Sequence, residues 1–254
     1  MAEQTQQIAA NLPRSSDGVA FRRFDDARLA VFACGAATVA VAAAAQPALP
    51  AALSLVGYAG FATGLLICAA RAGTLIGFGA ANTVTCFRAG LAALLFGTIA
   101  APGLILDVWW PFVLATVALL LDGVDGRIAR ARGAASRFGA LFDQETDAAL
   151  ILILTALLAG SGKIGSWILA AGLLRYALLL AGRVWPRLAA PLPKSRRRSA
   201  ICALTGAALA VCLAPAVDAT LGHAIAAAAL SALTLSFAAD LIWLLATAPK
   251  RPHR

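Results

Sequence analysis

The sequence predicts an all-α, polytopic membrane protein, and three observations carry that expectation. Mean hydropathy is +0.84, with 61% hydrophobic and only 13% charged residues. A soluble domain needs roughly a quarter charged residues to face water. Eight stretches are almost free of charge, at about 29–46, 50–70, 84–101, 104–121, 141–161, 164–182, 199–216 and 221–247. Each is long enough to cross a hydrocarbon core of ~30 Å. The basic residues also segregate. Arg14, Arg22, Arg23, Arg28 and Arg71 flank the first two stretches, and Arg127, Arg130, Arg132 and Arg137 separate the fourth from the fifth. Arg183, Arg187, Lys194, Arg196, Arg197 and Arg198 separate the sixth from the seventh, and Lys250, Arg251 and Arg254 end the chain. The alternate loops hold only Lys163. With an even number of spans every basic segment shares one side, which the positive-inside rule makes cytoplasmic, both termini included.

Taken in order, residues 1–28 are polar, and GVAFRRFDDARL within them predicts a short interfacial amphipathic helix. Residues 29–71 predict two transmembrane helices, although Pro47 and Pro50 leave a single broken hairpin open. The alanine-rich run ending at AQPALPAA also suggests a signal peptide. Asp17, Asp25 and Asp26 make a poor basic n-region, so the segment is expected to be retained. Six more helices are expected between 80 and 248, followed by a basic tail at 249–254. No repeat stands out. Cys34, Cys68, Cys86, Cys202 and Cys212 all lie in or beside apolar spans, where they read as small apolar residues. Trp109, Trp110 and Trp167 fall at the outer boundary and Trp185 at the inner one, as an aromatic belt requires. His223 and His253 are isolated. The net charge of +9 reads chiefly as a topology signal, with attraction to an anionic lipid headgroup as the second reading.

One window breaks the apolar pattern. Of twelve acidic residues, five lie between Asp122 and Asp147, in LLDGVDGRIARARGAASRFGALFDQETDAAL. Asp122 and Asp125 are three apart at the end of the fourth span, and Asp143 and Asp147 are four apart at the start of the fifth. Each pair shares a helix face. ARGAASRFGA between them has the Gly, Ala and Ser content of a short interhelical turn. Two antiparallel helices so joined would gather four carboxylates at membrane level, which is strongly unfavourable unless cations neutralise them. Hard oxygen ligands suit Mg²⁺ or Mn²⁺, whose sites normally take phosphates too. Gly126 and Ala129 leave room beside the first pair for a flat or phosphorylated ligand, as Gly139 does before the second. Gly123 reads as a close helix contact. Glu145, two residues from both Asp143 and Asp147, points away from their face.

These residues carry a resemblance. Asp122-x-x-Asp125-Gly126-x-x-Ala129-Arg130, then eight residues, then Gly139-x-x-x-Asp143-x-x-x-Asp147, fills every position and spacing of the signature of the CDP-alcohol phosphatidyltransferase family. The motif covers twenty-six residues. The six spans from about 84 to 247 resemble the family's six-helix membrane core, to which the two N-terminal helices would be an addition.

The resemblance implies transfer of a phosphatidyl group from a CDP-linked lipid, usually CDP-diacylglycerol, to an alcohol, with release of CMP. It implies a metal site of Asp122, Asp125, Asp143 and Asp147, holding two ions of Mg²⁺ or Mn²⁺. Asp147 would be the general base, with Asp143 the other catalytic carboxylate; orienting the alcohol is the alternative role for Asp147. Gly126, Ala129 and Gly139 would line the cytidine pocket, with Arg130 near the diphosphate or paired to an aspartate. Upstream, ANTVTCFR spaces Asn82, Thr85 and Arg88 three apart. It resembles the family's N-x-x-T-x-x-R element, which borders the nucleotide; capping of the helix is the other reading for Asn82 and Thr85.

The acceptor is less constrained. Arg175, inside the sixth span, and Arg137 are candidates for binding a phosphorylated polyol such as glycerol 3-phosphate or an inositol phosphate. Asp240, in the last span, would suit a cationic acceptor such as choline, or an arginine partner. The partners expected are CDP-diacylglycerol, a small alcohol and the bilayer, with no nucleic acid; a homodimer stays open. A cation transporter would also need intramembrane acids, but spread along a pathway rather than clustered at one edge. A catalytically dead scaffold would have lost an aspartate of the signature, and none is missing.

Overall fold

The computed structural model describes residues 47–71, 80–101, 108–131, 137–185, 188 and 195–247, with isolated positions between 33 and 44. Side chains at 65–71, 80–82, 124–131, 137 and 138 fall outside that description. The described residues form seven α-helices: α1 (Ala48–Arg71), α2 (Ala80–Gly97), α3 (Trp110–Ala131), α4 (Arg137–Gly160), α5 (Leu169–Val184), α6 (Arg196–Leu213) and α7 (Ala219–Thr247). Short 3₁₀ turns at Thr98–Ala100 and Ser166–Ile168 extend α2 and lead into α5. The described positions from 33 to 44 are helical as well. Among the described residues the fold is all-α, as expected.

Local chemistry sets the boundaries. Pro47 separates the first helical positions from α1, and Pro50 sits in the first turn of α1, where its missing N–H costs nothing. Pro111 does the same for α3. Ser195 caps α6, its hydroxyl accepting from the Arg198 backbone N–H at 3.5 Å. Gly162 takes the left-handed φ of 73° that turns the chain after α4. The bend between α3 and α4 is tighter than the ten-residue turn expected, because α3 runs on to Ala131 and α4 starts at Arg137. Gly139 therefore lies on α4 rather than in the turn.

Helices α2 and α4 form the centre. α2 packs against α1, α3 and α4, while α4 packs against α2, α5 and α6. Every residue from Arg88 to Leu95 is buried, and Leu95, Leu154, Leu157, Leu158 and Leu209 are sealed in the core. The α1–α2 contact is backbone-close at Gly97: an added Cβ would stand 2.0 Å from Ser54 Oγ and 2.2 Å from the Pro50 carbonyl oxygen. No side chain larger than hydrogen fits there. At Gly123, by contrast, an added Cβ would meet no atom within 4 Å among the described residues. Close helix packing, the reading the sequence suggested, does not explain that glycine.

Among the described residues, three helical stretches are long and apolar enough to cross a membrane, Thr83–Ala100, Ser166–Val184 and Ala219–Ala246. Ala48–Gly64 and Trp110–Gly123 are shorter apolar helices. The expected fifth span carries Asp143, Glu145 and Asp147, and α6 opens on three arginines. Those two helices give up apolar length to charge. Large apolar side chains including Leu204, Leu235 and Ile242 face outward, which suits lipid rather than water as solvent. On α7 apolar residues occupy all sides.

Candidate active site

α2, α3 and α4 converge on one arginine. Arg88 lies midway along α2 and its side chain is 1% exposed. Its Nε–H donates to the Ala118 carbonyl of α3 at 3.1 Å. Its Nη1 contacts Asp122 Oδ1 of α3 at 3.1 Å and Asp143 Oδ1 of α4 at 2.7 Å. Its Nη2 pairs with Asp147 Oδ1, one turn further along α4. The planar fork makes this geometry available: five N–H donors in fixed directions reach several carboxylates at once, which an ammonium group could not.

The three carboxylates lie at the rim rather than in the core, with side chains 33% to 40% exposed. One oxygen from each of Asp122, Asp143 and Asp147 lies within 4.8 Å of the others, close enough for a metal ion to take all three. Among the described residues, three carboxylates crowd one guanidinium at the edge of an apolar bundle, an excess of negative over positive charge. Such a surplus is costly in low dielectric unless further cations arrive. A carboxylate carries two oxygens and about four lone-pair directions, so contact with Arg88 and ligation of an ion are compatible. This donor set fits a hard divalent cation.

Of the four carboxylates expected to gather, Asp122, Asp143 and Asp147 are brought together. Asp125, Gly126, Ala129 and Arg130 lie along the last turns of α3, Arg137 opens α4 and Asn82 lies in the first turn of α2. The side chains of these six fall outside the described residues. Thr85 is buried on α2, one turn before Arg88. Gly139 stands one turn before Asp143. Glu145 points off the opposite side of α4, as its spacing implied, and there it pairs with Arg175 of α5. Among the described residues Arg175 thus pairs with Glu145 rather than with one of the aspartates. Its Nε–H is buried and has no hydrogen-bond acceptor among the described residues.

Asp240 takes the arginine partnership rather than standing free. Arg197 and Arg198 of α6 each approach it at 3.2 Å. Lys163, the single base of the alternate loops, donates from Nζ to the Ala214 carbonyl at 2.8 Å. The His223 ring lies 2.7 Å through Nδ1 from the Ala219 carbonyl oxygen and packs near Trp167. Cys86 and Cys212 are buried and form no disulfide among the described residues.

Sequence reasoning placed Arg88 in the element that borders the nucleotide and did not connect it to the aspartates. The signals were present: a charge inside an otherwise apolar span, three residues after Thr85. Its partners could not be read, because they lie between 30 and 59 residues away.

Comparison with curated proteins and with solved structures gave no match. The family model described as CDP-alcohol phosphatidyltransferase matches residues 78–241. That span takes in α2 to α6, most of α7 and the whole aspartate cluster, and leaves α1 outside. With well over half of its length matched, the chain belongs to the CDP-alcohol phosphatidyltransferase family, whose members transfer a phosphatidyl group from a CDP-alcohol to an acceptor in the membrane.

Proposed function

We propose that this chain transfers the phosphatidyl group of CDP-diacylglycerol to a small alcohol and releases CMP, at the cytoplasmic edge of the bilayer. The observation that carries the reading is the meeting of Asp122, Asp143 and Asp147, from two helices, around the buried Arg88. Asp122, Asp143 and Asp147, with Asp125 from the same signature, would hold two divalent ions of Mg²⁺ or Mn²⁺. Bound ions there would neutralise the diphosphate and the departing CMP.

The residues divide the remaining work. The acceptor hydroxyl oxygen attacks the phosphorus that bears the diacylglycerol, and its proton passes to Asp147. The bond from that phosphorus to the bridging oxygen breaks, and CMP leaves with the oxygen. Asp143 orients the site with Asp147. Arg88 is a positioning residue: by holding the three Oδ1 atoms it fixes the carboxylates before any ion binds. Asn82, Thr85, Gly126, Ala129, Arg130 and Gly139 border the nucleotide.

The acceptor reading leans to a phosphorylated polyol, with Arg137 and Arg175 as the candidate contacts for its phosphate. The buried Nε–H of Arg175 supports it, since an incoming oxygen would satisfy that donor. Asp240, the residue that would suit a cationic acceptor, is already matched by two arginines, which weighs against choline. The test is CMP release by purified protein given CDP-diacylglycerol, Mg²⁺ and a panel of alcohols. Release with at least one acceptor, absent from Asp143→Asn and Asp147→Asn, is expected. Release no greater than in those two variants, across the whole panel, would overturn the reading.

A further inference from the structure

An apolar cavity of about 190 Å³ lies between α1, α2 and α4. Tyr58 and Phe61 come to it from α1, Ala89 and Ala93 from α2, and Thr146 and Ala149 from α4. The hydroxyl of Thr146 is spent on the Phe142 carbonyl at 2.8 Å, so that residue adds little polarity. A dry apolar cavity of ~150 Å³ is already enough to take up a benzene ring. From Ala89 to Phe96 on α2, and from Thr146 to Ile153 on α4, the lining runs for about two turns, some 10 Å along each helix. A lining of that length along two helices suits part of an alkyl chain.

Its position matters more than its size. Ala89 follows Arg88 in the chain and Thr146 precedes Asp147, so the cavity begins at the level of the charged site and on an adjoining face of the same two helices. α1 closes the third side. It also braces the site directly, Phe61 packing 6.3 Å between ring centroids from Phe142, the residue before Asp143. Yet α1 lies outside the part of the chain that matches the family model.

We infer that this cavity seats one acyl chain of the CDP-linked lipid, and that α1 is present in this chain to complete the seat. The inference rests on the reading of the donor as a CDP-linked lipid. Lipid tails are as apolar as the cavity wall, so moving a chain from bilayer to cavity yields little by itself. The gain is positional: a chain anchored beside Arg88 and Asp147 holds the diphosphate against the carboxylates.

The experiment uses the full chain in lipid nanodiscs with CDP-diacylglycerol bearing a diazirine within one acyl chain. Photolabelling of peptides spanning Gly57 to Phe61 or Ala89 to Phe96, suppressed by excess unlabelled CDP-diacylglycerol, is expected. Equal labelling by a diazirine phosphatidylcholine, or labelling that CDP-diacylglycerol does not suppress, would assign the cavity to bulk lipid and overturn the inference. Ala93→Phe and Ala149→Leu fill the cavity from different helices. Each is expected to lower kcat/KM for long-chain CDP-diacylglycerol by about tenfold while sparing a short-chain analogue. An unchanged ratio of long-chain to short-chain activity in both variants would also overturn it. Wild-type protein that releases no CMP from any CDP-diacylglycerol defeats the proposed function instead, and the two failures are therefore distinct.

Discussion

Two charged clusters in this molecule are built as mirror images. In one, a single guanidinium, Arg88, stands between three carboxylates. In the other, a single carboxylate, Asp240, stands between Arg197 and Arg198. The first leaves negative charge over, with its arginine 1% exposed. The second leaves positive charge over, with Arg197 51% exposed and in reach of water. A solvated guanidinium needs nothing more, and its aliphatic stem can lie along the apolar helix. Carboxylates crowded within 4.8 Å of one another at the mouth of a buried arginine repel each other and favour a cation between them. The sign of the charge that each cluster gathers separates a site that recruits cations from a contact that anchors a helix.

The largest expected effect falls on the carboxylates. Asp143→Asn and Asp147→Asn should each lower CMP release by about 10²- to 10⁴-fold, the range for loss of a positioned proton acceptor. Arg88→Gln comes next. Removing the cation while keeping its partners should cost about 3–5 kcal/mol of stability. Thermal unfolding in EDTA should show the full loss, and saturating Mg²⁺ should restore part of it. Equal loss in both conditions would make Arg88 a packing element and erase the contrast. Glu145→Gln should act more gently, lowering KM several-fold for a phosphorylated acceptor and leaving an unphosphorylated one unchanged, because Arg175 no longer shares its charge. Asp240→Asn should do least to activity, although its carboxylate is buried between two arginines and its loss should cost about 1–3 kcal/mol of stability. CMP release should stay near wild type.

The aspartates were legible because register is local. Spacings of three and four residues place side chains on one helix face, and helix-breaking composition between them predicts the return. Glu145 was correctly set on the other face of α4 by the same arithmetic. Arg88 was not connected to the aspartates, since its role depends on the approach of α3 and α4 from distant parts of the chain. The partner of Arg175 was hidden for the same reason: Glu145 and Arg175 are 30 residues apart on different helices. Span counting was blurred where function intrudes. α4 and α6 carry the charges of the site and of the Asp240 contact, so their apolar length falls short of the membrane criterion that α2, α5 and α7 meet. The alternatives left open at Asp240 were decided by packing of α6 on α7, which no local pattern encodes.

The central claim is that Asp122, Asp143 and Asp147 pool their charge to bind divalent cations. Titration of the full-length, detergent-solubilised protein with Mn²⁺, followed by the EPR signal of the free ion, measures it without any substrate. Saturable binding that is lost in Asp143→Asn and kept in Asp240→Asn is the predicted result. Wild-type protein that leaves all Mn²⁺ free, or binding undiminished by Asp143→Asn, would contradict it.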